Sequence, residues 1–234
     1  MERRRKILIL DYSVDGSESG LIQQWLPQNV HATSLLIQTE ESFPDRLIED
    51  DHAYVIHSGS TLSVMETAPF SERAFHYIRS LTDRRIPQMG ICYGHQLICR
   101  ALLGPRAVRR SPLGLEAGWC KVSFQDGPLR IRGLSESETL WQHHFDEVVE
   151  VPAGSRIIAT NSHSRIQSYI NTELCLFGTQ FHPEYDREKG NAFFLEDRAL
   201  LEAHQYHVDE IIRQGPSVES GRIFLDFFLN YFPV

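Results

Sequence analysis

Hydrophobic runs and amphipathic segments alternate along the first half of the chain. Short apolar runs without polar alternation are typical of strands that are covered on both faces of a sheet. Such runs predict strands at residues 6–10, 32–36 and 53–57 and a fourth strand that begins at Ile86. The segments between them predict helices at 21–25, 45–49 and 70–82, and a fourth helix that ends at about Leu103. This alternation predicts a mostly parallel central sheet with helices on both faces.

The pattern changes after Pro112, where short apolar stretches are separated by turns. These stretches predict strands at 119–124, 139–141, 147–151, 156–160, 168–170 and 175–181. We expect antiparallel hairpins here, with the last strand returning to the main sheet. A helical region at 186–214 with one break and an amphipathic helix at 220–231 follow. The predicted fold class is α/β with a small antiparallel β section in the second half, and residues 1–234 are expected to form one domain.

Composition excludes several function classes. Charged residues make up 23% of the chain and hydrophobic residues 41%, and the formal net charge is −8. An acidic protein of this kind is not expected to bind nucleic acid or an anionic membrane. The four cysteines lack metal-ligand spacing, and the apolar run at 7–10 is too short for a signal peptide or a membrane span. We therefore expect a cytoplasmic protein with reduced thiols, no metal and no cofactor.

The strongest candidate for chemistry is the sequence Gly-Ile-Cys-Tyr-Gly at residues 90–94. It lies between a predicted strand and a predicted helix, on a sharp turn that exposes the central side chain at the carboxyl edge of the sheet. The two flanking glycines relieve the crowding of such a turn. A helix N-terminus stabilises a thiolate, and the next backbone amide can face a developing oxyanion. We therefore predict that Cys92 is a nucleophile of low pKa.

Two further segments are expected at the same edge of the sheet. His182 and Glu184 follow the predicted strand at 175–181, with a proline between them. A cysteine nucleophile needs a proton-transferring partner, and that partner needs an orienting acceptor, so we predict these roles for His182 and Glu184. The loop after the strand at 53–57 contains Gly59, whose amide is expected to face that of Tyr93. These two amides would form an oxyanion hole.

Together these motifs resemble those of the class I glutamine amidotransferases. The resemblance rests on residues 90–96 (GICYGHQ) and 181–184 (FHPE), and it covers nearly the whole chain. Supporting matches lie at 58–60, 116–119 and 141–148, and the last of these resembles the amidotransferase part of GMP synthases. Two positions depart from the pattern. Thr61 stands where a proline is common, and Phe145 stands where a glycine is common, which bears on the shape of the pocket floor.

The resemblance implies a flavodoxin-like fold and a Cys-His-Glu mechanism. In that mechanism Cys92 attacks the γ-carbonyl of a γ-glutamyl amide, and the amides of Gly59 and Tyr93 hold the oxyanion. His182 gives a proton to the leaving nitrogen and later activates water against the thioester. Glu184 holds the imidazole in its tautomer.

The resemblance also implies the substrate contacts and the partners. Gln96, with the backbone around His144 and Phe145, would contact the α-amino and α-carboxylate groups of the substrate. The expected partners are glutamine and either a synthase subunit or a second copy of the chain. The helical region at 186–214 is expected to pack on its own sheet, to cap the active-site edge or to form an interface.

Three functions remain open from the sequence. The first is a glutamine-hydrolysing amidotransferase that releases ammonia for an acceptor or a partner. The second is a stand-alone γ-glutamyl hydrolase that acts on γ-glutamyl peptides or glutathione-like compounds. The third is a non-catalytic binding module that keeps the fold. A reactive Cys92 would count against the third.

Overall fold

A computed structural model describes residues 5–43, 53–125 and 130–232 of the chain. Within these ranges the strands are β1 (Arg5–Asp11), β2 (Val30–Leu36), β3 (Tyr54–His57), β4 (Gln88–Ile91), β5 (Val108–Arg110), β6 (Glu116–Phe124), β7 (Ser137–His144), β8 (Asp146–Val148), β9 (Arg156–Thr160), β10 (Ser168–Asn171) and β11 (Leu176–Thr179). The α-helices of the same ranges are α1 (Glu18–Gln23), α2 (Ser71–Asp83), α3 (Tyr93–Leu103), α4 (Arg187–Glu196), α5 (Arg198–Ala203), α6 (Val208–Ile211) and α7 (Ser220–Tyr231).

Nine of the described strands form one large sheet in the order β2-β1-β3-β4-β11-β10-β9-β6-β7. The first five strands of this order run parallel to one another. Parallel strands are covered on both faces, and accordingly every residue from 7 to 10 of β1 is buried. Their carboxyl ends meet at one edge of the sheet, so the loops after β3, β4 and β11 converge there.

The antiparallel section continues the same sheet. β10 pairs antiparallel with β11 and β9, and β6 pairs antiparallel with β9 and β7. The predicted return of the last strand is confirmed, because β11 lies beside β4 in parallel register. β5 and β8 form a separate two-stranded ribbon. The predicted fold class is therefore confirmed.

Helices cover both faces of the parallel part of the sheet, and further helices pack against β6 and β7 at its antiparallel end. α2 and α3 pack on the face that carries Leu8 and Leu10. α1 and α7 pack on the opposite face, which carries Ile7 and Ile9. The short helices α4, α5 and α6 form a third apolar cluster with β6 and β7 around Trp141. This third cluster places the region at 187–211 beside the converging loops.

The helical region predicted at 186–214 has two breaks in place of the predicted one. The first break is at Asp197, which ends α4 and precedes α5 with φ −92° and ψ 16°. The second lies between α5 and α6, where Gln205 has φ 66° in the left-handed region. A residue in that conformation cannot continue a right-handed helix.

Other boundaries also differ from the predictions. α1 begins at Glu18 rather than at residue 21, because Asp11 Oδ2 accepts a hydrogen bond from the Ser19 amide at 2.7 Å and satisfies a free amide of the first turn. The strand predicted at 147–151 is β8 and ends at Val148, after which two successive amides donate to the Ala107 carbonyl. β5 was not predicted. The helix predicted at 45–49 lies outside the described residues.

None of the helices in the described ranges contains a stretch long and apolar enough to cross a membrane.

Candidate active site

Cys92 occupies the junction between β4 and α3. Its backbone has φ 46° and ψ −101°, a combination that L residues rarely adopt. Its amide donates a hydrogen bond to the Thr179 carbonyl at 2.8 Å, and its carbonyl accepts one from the Gln96 amide at 3.0 Å. Because Thr179 belongs to the neighbouring strand β11, the sheet itself holds the strained turn. Cys92 is 3% exposed.

Two glycines permit this turn by allowing close backbone approach. A Cβ on Gly90 would lie 2.6 Å from the Gly94 carbonyl carbon, and a Cβ on Gly94 would overlap the His57 carbonyl oxygen. Both clashes are with backbone atoms, so neither can be relieved by a rotamer change. The Gly94 amide donates to the Ser58 carbonyl at 3.0 Å. The loop after β3 is therefore held directly against the first turn of α3.

His182 and Glu184 lie together just beyond β11. The Nδ1 atom of His182 is 2.6 Å from Glu184 Oε1, so Nδ1–H donates to the carboxylate and Nε2 is left to accept a proton. The His182 amide donates to the Trp141 carbonyl at 3.0 Å, and the Trp141 ring meets the imidazole edge to face at 4.8 Å. The Glu184 carbonyl accepts a hydrogen bond from the Trp25 indole at 2.8 Å. These contacts fix the turn that carries both residues.

Burial sets the protonation states of the two candidate reacting groups. It lowers the pKa of His182 to about 4. Burial also raises the pKa of the Cys92 thiol well above its ordinary value, and negative charge on the neighbouring carboxyl groups of Glu18 and Glu184 raises it further. The direction is opposite to the low pKa predicted from the helix N-terminus, because the loss of solvation outweighs the helix dipole. At neutral pH the two groups are therefore a neutral thiol and a neutral imidazole.

The hydrogen-bond contact of the thiol is with a glutamine. Gln180 Nε2 lies 3.6 Å from Cys92 Sγ, and Gln180 Oε1 accepts from Gln96 Nε2 at 3.1 Å. Within the described part of the chain, no hydrogen bond joins Cys92 Sγ to His182. A catalytic hydrogen bond often forms only when substrate binds, and proton transfer between Cys92 and His182 stays a prediction.

The predicted oxyanion donors lie beside these groups. Gly59 is next to Ser58, whose carbonyl accepts a hydrogen bond from the Gly94 amide, and a Cβ on Gly59 would lie 2.5 Å from His182 Cε1. Tyr93 is the first residue of α3, so its amide has no acceptor within the helix. The structure thus places Gly59 against His182 and Tyr93 directly after Cys92. Their role in holding an oxyanion stays a prediction.

A cavity of about 400 Å³ opens beside Cys92, and we call it the thiol pocket. Its lining includes all three predicted substrate-binding residues, Gln96, His144 and Phe145. Gln96 Nε2 donates to the Asp146 carbonyl at 2.8 Å. His144 is held between the same carbonyl, 3.0 Å from Nδ1, and Glu116 Oε2, 2.9 Å from Nε2. Their contacts with substrate stay a prediction.

Charged residues of both signs line the thiol pocket. The Arg110 guanidinium lies 4.1 Å from the centre of the Phe145 ring and 3.9 Å from Asp146 Oδ1. Asp146 Oδ2 accepts a hydrogen bond from Ser63 Oγ at 2.5 Å, whereas the buried Oδ1 has no hydrogen-bond partner among the described residues. Asp146 was not predicted as a site residue. Its position two residues after His144, in the segment at 141–148, was the available signal.

Glu18 is a second residue that the sequence did not reveal. It is the first residue of α1, and its side chain is buried beside His182 and Glu184, with Oε2 4.0 Å from His182 Nδ1. Tyr185 Oη donates to Glu18 Oε1 at 3.1 Å. No motif marks this position, because the residues it contacts lie more than 160 residues away in the chain.

Two clusters of described residues contain side chains that metals favour. They are Glu116 with His144 and His163, and Glu18 with His182 and Glu184. The oxygens of Glu116 already accept hydrogen bonds from Asn161, Gln167 and His144, and the second cluster contains the His182–Glu184 contact. Hydrogen bonds thus use ligand atoms of Glu116, His182 and Glu184, and the expectation of no metal stays a prediction.

Comparisons with known proteins agree with the motifs. The family model described as "Glutamine amidotransferase class-I" matches residues 26–201. A glutamine-hydrolysing GMP synthase subunit from Sulfolobus acidocaldarius is 36% identical over 154 residues, which cover 64% of this chain and 79% of that protein. The corresponding subunit from Saccharolobus solfataricus is 38% identical over 141 residues, covering 60% and 72%. The crystal structure of a glutamine amidotransferase from Thermotoga maritima matches 96% of this chain and 93% of that one with a TM-score of 0.73. The sequence identity is 18%, so this match shows similarity of fold alone.

Proposed function

Because this chain is a cysteine-dependent enzyme of the class I glutamine amidotransferase family, we propose that it hydrolyses the γ-amide of glutamine at Cys92 and releases ammonia for an acceptor. The alternative of a non-catalytic binding module is accordingly not retained. The observation that most directly supports the proposed site is the 2.6 Å contact between His182 Nδ1 and Glu184 Oε1, at the sheet edge that carries Cys92. This contact leaves the other imidazole nitrogen available for proton transfer.

The proposed reaction begins from a neutral thiol and a neutral imidazole. His182 Nε2 takes the thiol proton as Cys92 Sγ bonds to the γ-carbonyl carbon, and the amides of Gly59 and Tyr93 hold the resulting oxyanion. The imidazolium gives its proton to the amide nitrogen and the C–N bond breaks. Ammonia departs, and the γ-glutamyl group remains bound to Cys92 as a thioester. Water then gives a proton to His182 as its oxygen bonds to the thioester carbonyl carbon. The C–S bond breaks and the imidazolium returns the proton to Cys92 Sγ, which yields glutamate and the free thiol. Glu184 stabilises each imidazolium.

The thiol pocket fits the α-carbon end of glutamine, which carries one positive and one negative charge. The buried Asp146 Oδ1, which lacks a hydrogen-bond partner among the described residues, would accept from the α-ammonium group. The Arg110 guanidinium lines the same pocket and would face the α-carboxylate. Gln96 and the backbone around His144 and Phe145 complete the proposed contacts.

We further propose that the ammonia passes to a synthetase partner and that the enzyme works in the cytoplasm. The relatives from Sulfolobus acidocaldarius and Saccharolobus solfataricus are named as subunits of GMP synthase. The word subunit indicates that those proteins work with a separate partner chain. The described cysteines, Cys92, Cys99, Cys120 and Cys175, are free thiols, which supports a reducing compartment.

One observation favours a second candidate function, the hydrolysis of γ-glutamyl amides with a larger amine part. A cavity of about 240 Å³, which we call the imidazole groove, is lined by His182, Glu18, Trp141 and Phe193 among others. The leaving nitrogen departs on the side of His182, because that residue protonates it. Ammonia needs little room there, whereas the groove has space for a substituted amine.

Release of ammonia from L-glutamine by the purified protein tests the proposal. Cys92→Ala is the control, and a γ-glutamyl dipeptide is assayed in parallel, each with and without a GMP synthetase subunit. We expect the wild type to release ammonia from glutamine and Cys92→Ala to release none. Cleavage of the dipeptide alone would replace the first candidate with the second. No ammonia under any of these conditions would overturn the proposed glutaminase.

A further inference from the structure

Glu18 is a buried carboxyl group that the proposed reaction does not use. The residue is 7% exposed, and its side chain faces the turn that carries His182 and Glu184. Ligand-type atoms of these three residues all lie within 4.8 Å of one another. The Gly59 position touches the same group, because a Cβ there would lie 3.3 Å from Glu18 Oε2. Glu18 thus adjoins both the candidate base and the candidate oxyanion loop.

The oxygens of the two carboxyl groups are used unequally. Oε1 of Glu18 accepts from Tyr185 Oη at 3.1 Å, and Oε1 of Glu184 accepts from His182 Nδ1 at 2.6 Å. The Oε2 atoms of both residues are buried and have no hydrogen-bond partner among the described residues. Two ionised carboxylates this close in a buried site repel strongly, whereas one proton between them removes the repulsion. The shared proton would also form a hydrogen bond between the Oε2 atoms of Glu18 and Glu184.

We propose that Glu18 and Glu184 share one proton, and that Glu18 is a positioning residue that acts on His182 through Glu184. The inference rests on the proposed role of His182 in proton transfer. The protonated carboxyl donates to the other, and Glu184 keeps Oε1 as the acceptor for Nδ1–H of His182. The pair then carries a single negative charge, which is sufficient to balance one imidazolium.

The electrostatics of the cluster agree with a retained proton. Burial, with the Glu184 charge, raises the pKa of Glu18 to about 8, and burial raises the pKa of Glu184 to about 8. A second negative charge here would also raise the pKa of the Cys92 thiol further. The titratable groups around Glu18 are His182, Glu184 and Tyr185 after β11, Cys92 at the junction of β4 and α3, and Asp15 and His143, which line the imidazole groove.

The test compares Glu18→Gln and Glu18→Ala with the wild type. The glutamine variant keeps the shape and can still donate to Glu184 but cannot ionise, whereas the alanine variant removes the contact. Glu188→Gln is the matched control, because Glu188 is an exposed carboxyl in the first turn of α4. Infrared difference spectra of wild type against each glutamine variant detect a protonated carboxyl at pH 7 without any activity. Glutamine hydrolysis is measured as kcat and KM from pH 6 to 10.

If the proton is shared, the wild type shows an infrared band of a protonated carboxyl group at pH 7. Glu18→Gln should remove or shift this band, and Glu188→Gln should leave it unchanged. Glu18→Ala is expected to lower kcat about tenfold with little change in KM, the effect of one hydrogen bond on a rate. Glu18→Gln is expected to restore kcat at pH 7. It should also remove the change in kcat near pH 8 that accompanies loss of the shared proton in the wild type.

The two arms of the test fail separately. A wild-type spectrum at pH 7 without a band that depends on Glu18 would overturn proton sharing, whether or not the protein hydrolyses glutamine. Ammonia release with unchanged kcat and pH profile in both Glu18 variants would overturn the positioning role. If the wild type releases no ammonia, the proposed function fails, and the spectra alone decide whether the proton is shared.

Discussion

The Ser58 carbonyl accepts a hydrogen bond from the Gly94 amide at 3.0 Å, and this contact joins the loop after β3 to the first turn of α3. The backbones approach so closely that the His57 carbonyl occupies the space of a Cβ at position 94. The contact therefore couples the position of Gly59, one residue beyond Ser58, to that of Cys92. The geometry of the site depends on it.

Gly94→Ala is expected to destabilise the protein by about 2–4 kcal/mol, because backbone atoms must move to admit the methyl group. Urea unfolding measures the change in the free energy of unfolding. Gly20→Ala in α1 is the matched control, since its Cβ would meet nothing within 4 Å. That variant is expected to be neutral or stabilised by about 0.5–1 kcal/mol. Equal stability of both variants would contradict the close approach at Gly94.

Changes to the three candidate catalytic residues are expected to differ in severity. Cys92→Ala and Cys92→Ser should lower ammonia release about 1000-fold or more while leaving urea unfolding nearly unchanged, and His182→Ala should do almost the same. Glu184→Gln should cost less, about 10- to 100-fold, because Glu18 Oε2 lies 4.0 Å from His182 Nδ1 and can replace the lost acceptor. An undiminished rate in Cys92→Ala would remove the thioester mechanism.

Elements with a strong local pattern were predicted from the sequence, and elements that depend on distant contacts were not. The helix predicted at 220–231 matches α7, because Phe224 and Phe228 mark one buried face at helical spacing. β5 is three residues long and exists through pairing with β8, some 40 positions away in the chain. The early start of α1 likewise depends on the side chain of Asp11. Such contacts leave no periodic signal.

The candidate site divides in the same way. The positions of Cys92, His182 and Glu184 followed from motifs at strand ends, where topology brings them to one edge. The protonation of Cys92 did not follow, because burial is a property of the folded chain and outweighs the helix N-terminus. Glu18 was missed for a related reason, since a carboxyl in a helix first turn is usually solvated and dipole-stabilised.

His57 is expected to make stability depend on pH. Its ring accepts from Tyr12 Oη at Nδ1 and donates from Nε2 to Gln88 Oε1, and burial lowers its pKa to about 4. Between pH 6.5 and about 4 the unfolded chain binds a proton that the folded chain excludes, so the free energy of unfolding falls as pH falls. The contribution is at most about 1.4 kcal/mol per pH unit.

Replacing His57 by Gln isolates this effect. The stability advantage of the wild type over His57→Gln, measured by urea unfolding at pH 7, 6 and 5, should shrink as the pH falls. His31→Gln, at an exposed position on β2, should show a constant difference over the same range. An advantage of the wild type that grows toward pH 5 would contradict a neutral, buried His57.

Asp146→Asn is expected to raise KM for glutamine about 10- to 100-fold and to leave kcat within about threefold. The reason is that an amide keeps the hydrogen bond to Ser63 but loses the charge that would face the α-ammonium group. Steady-state rates of ammonia release separate the two constants. Glu150→Gln, at an exposed position beyond β8, is the control and should change neither. A fall in kcat at unchanged KM would instead connect Asp146 to the reacting groups, and unchanged constants would remove it from substrate recognition.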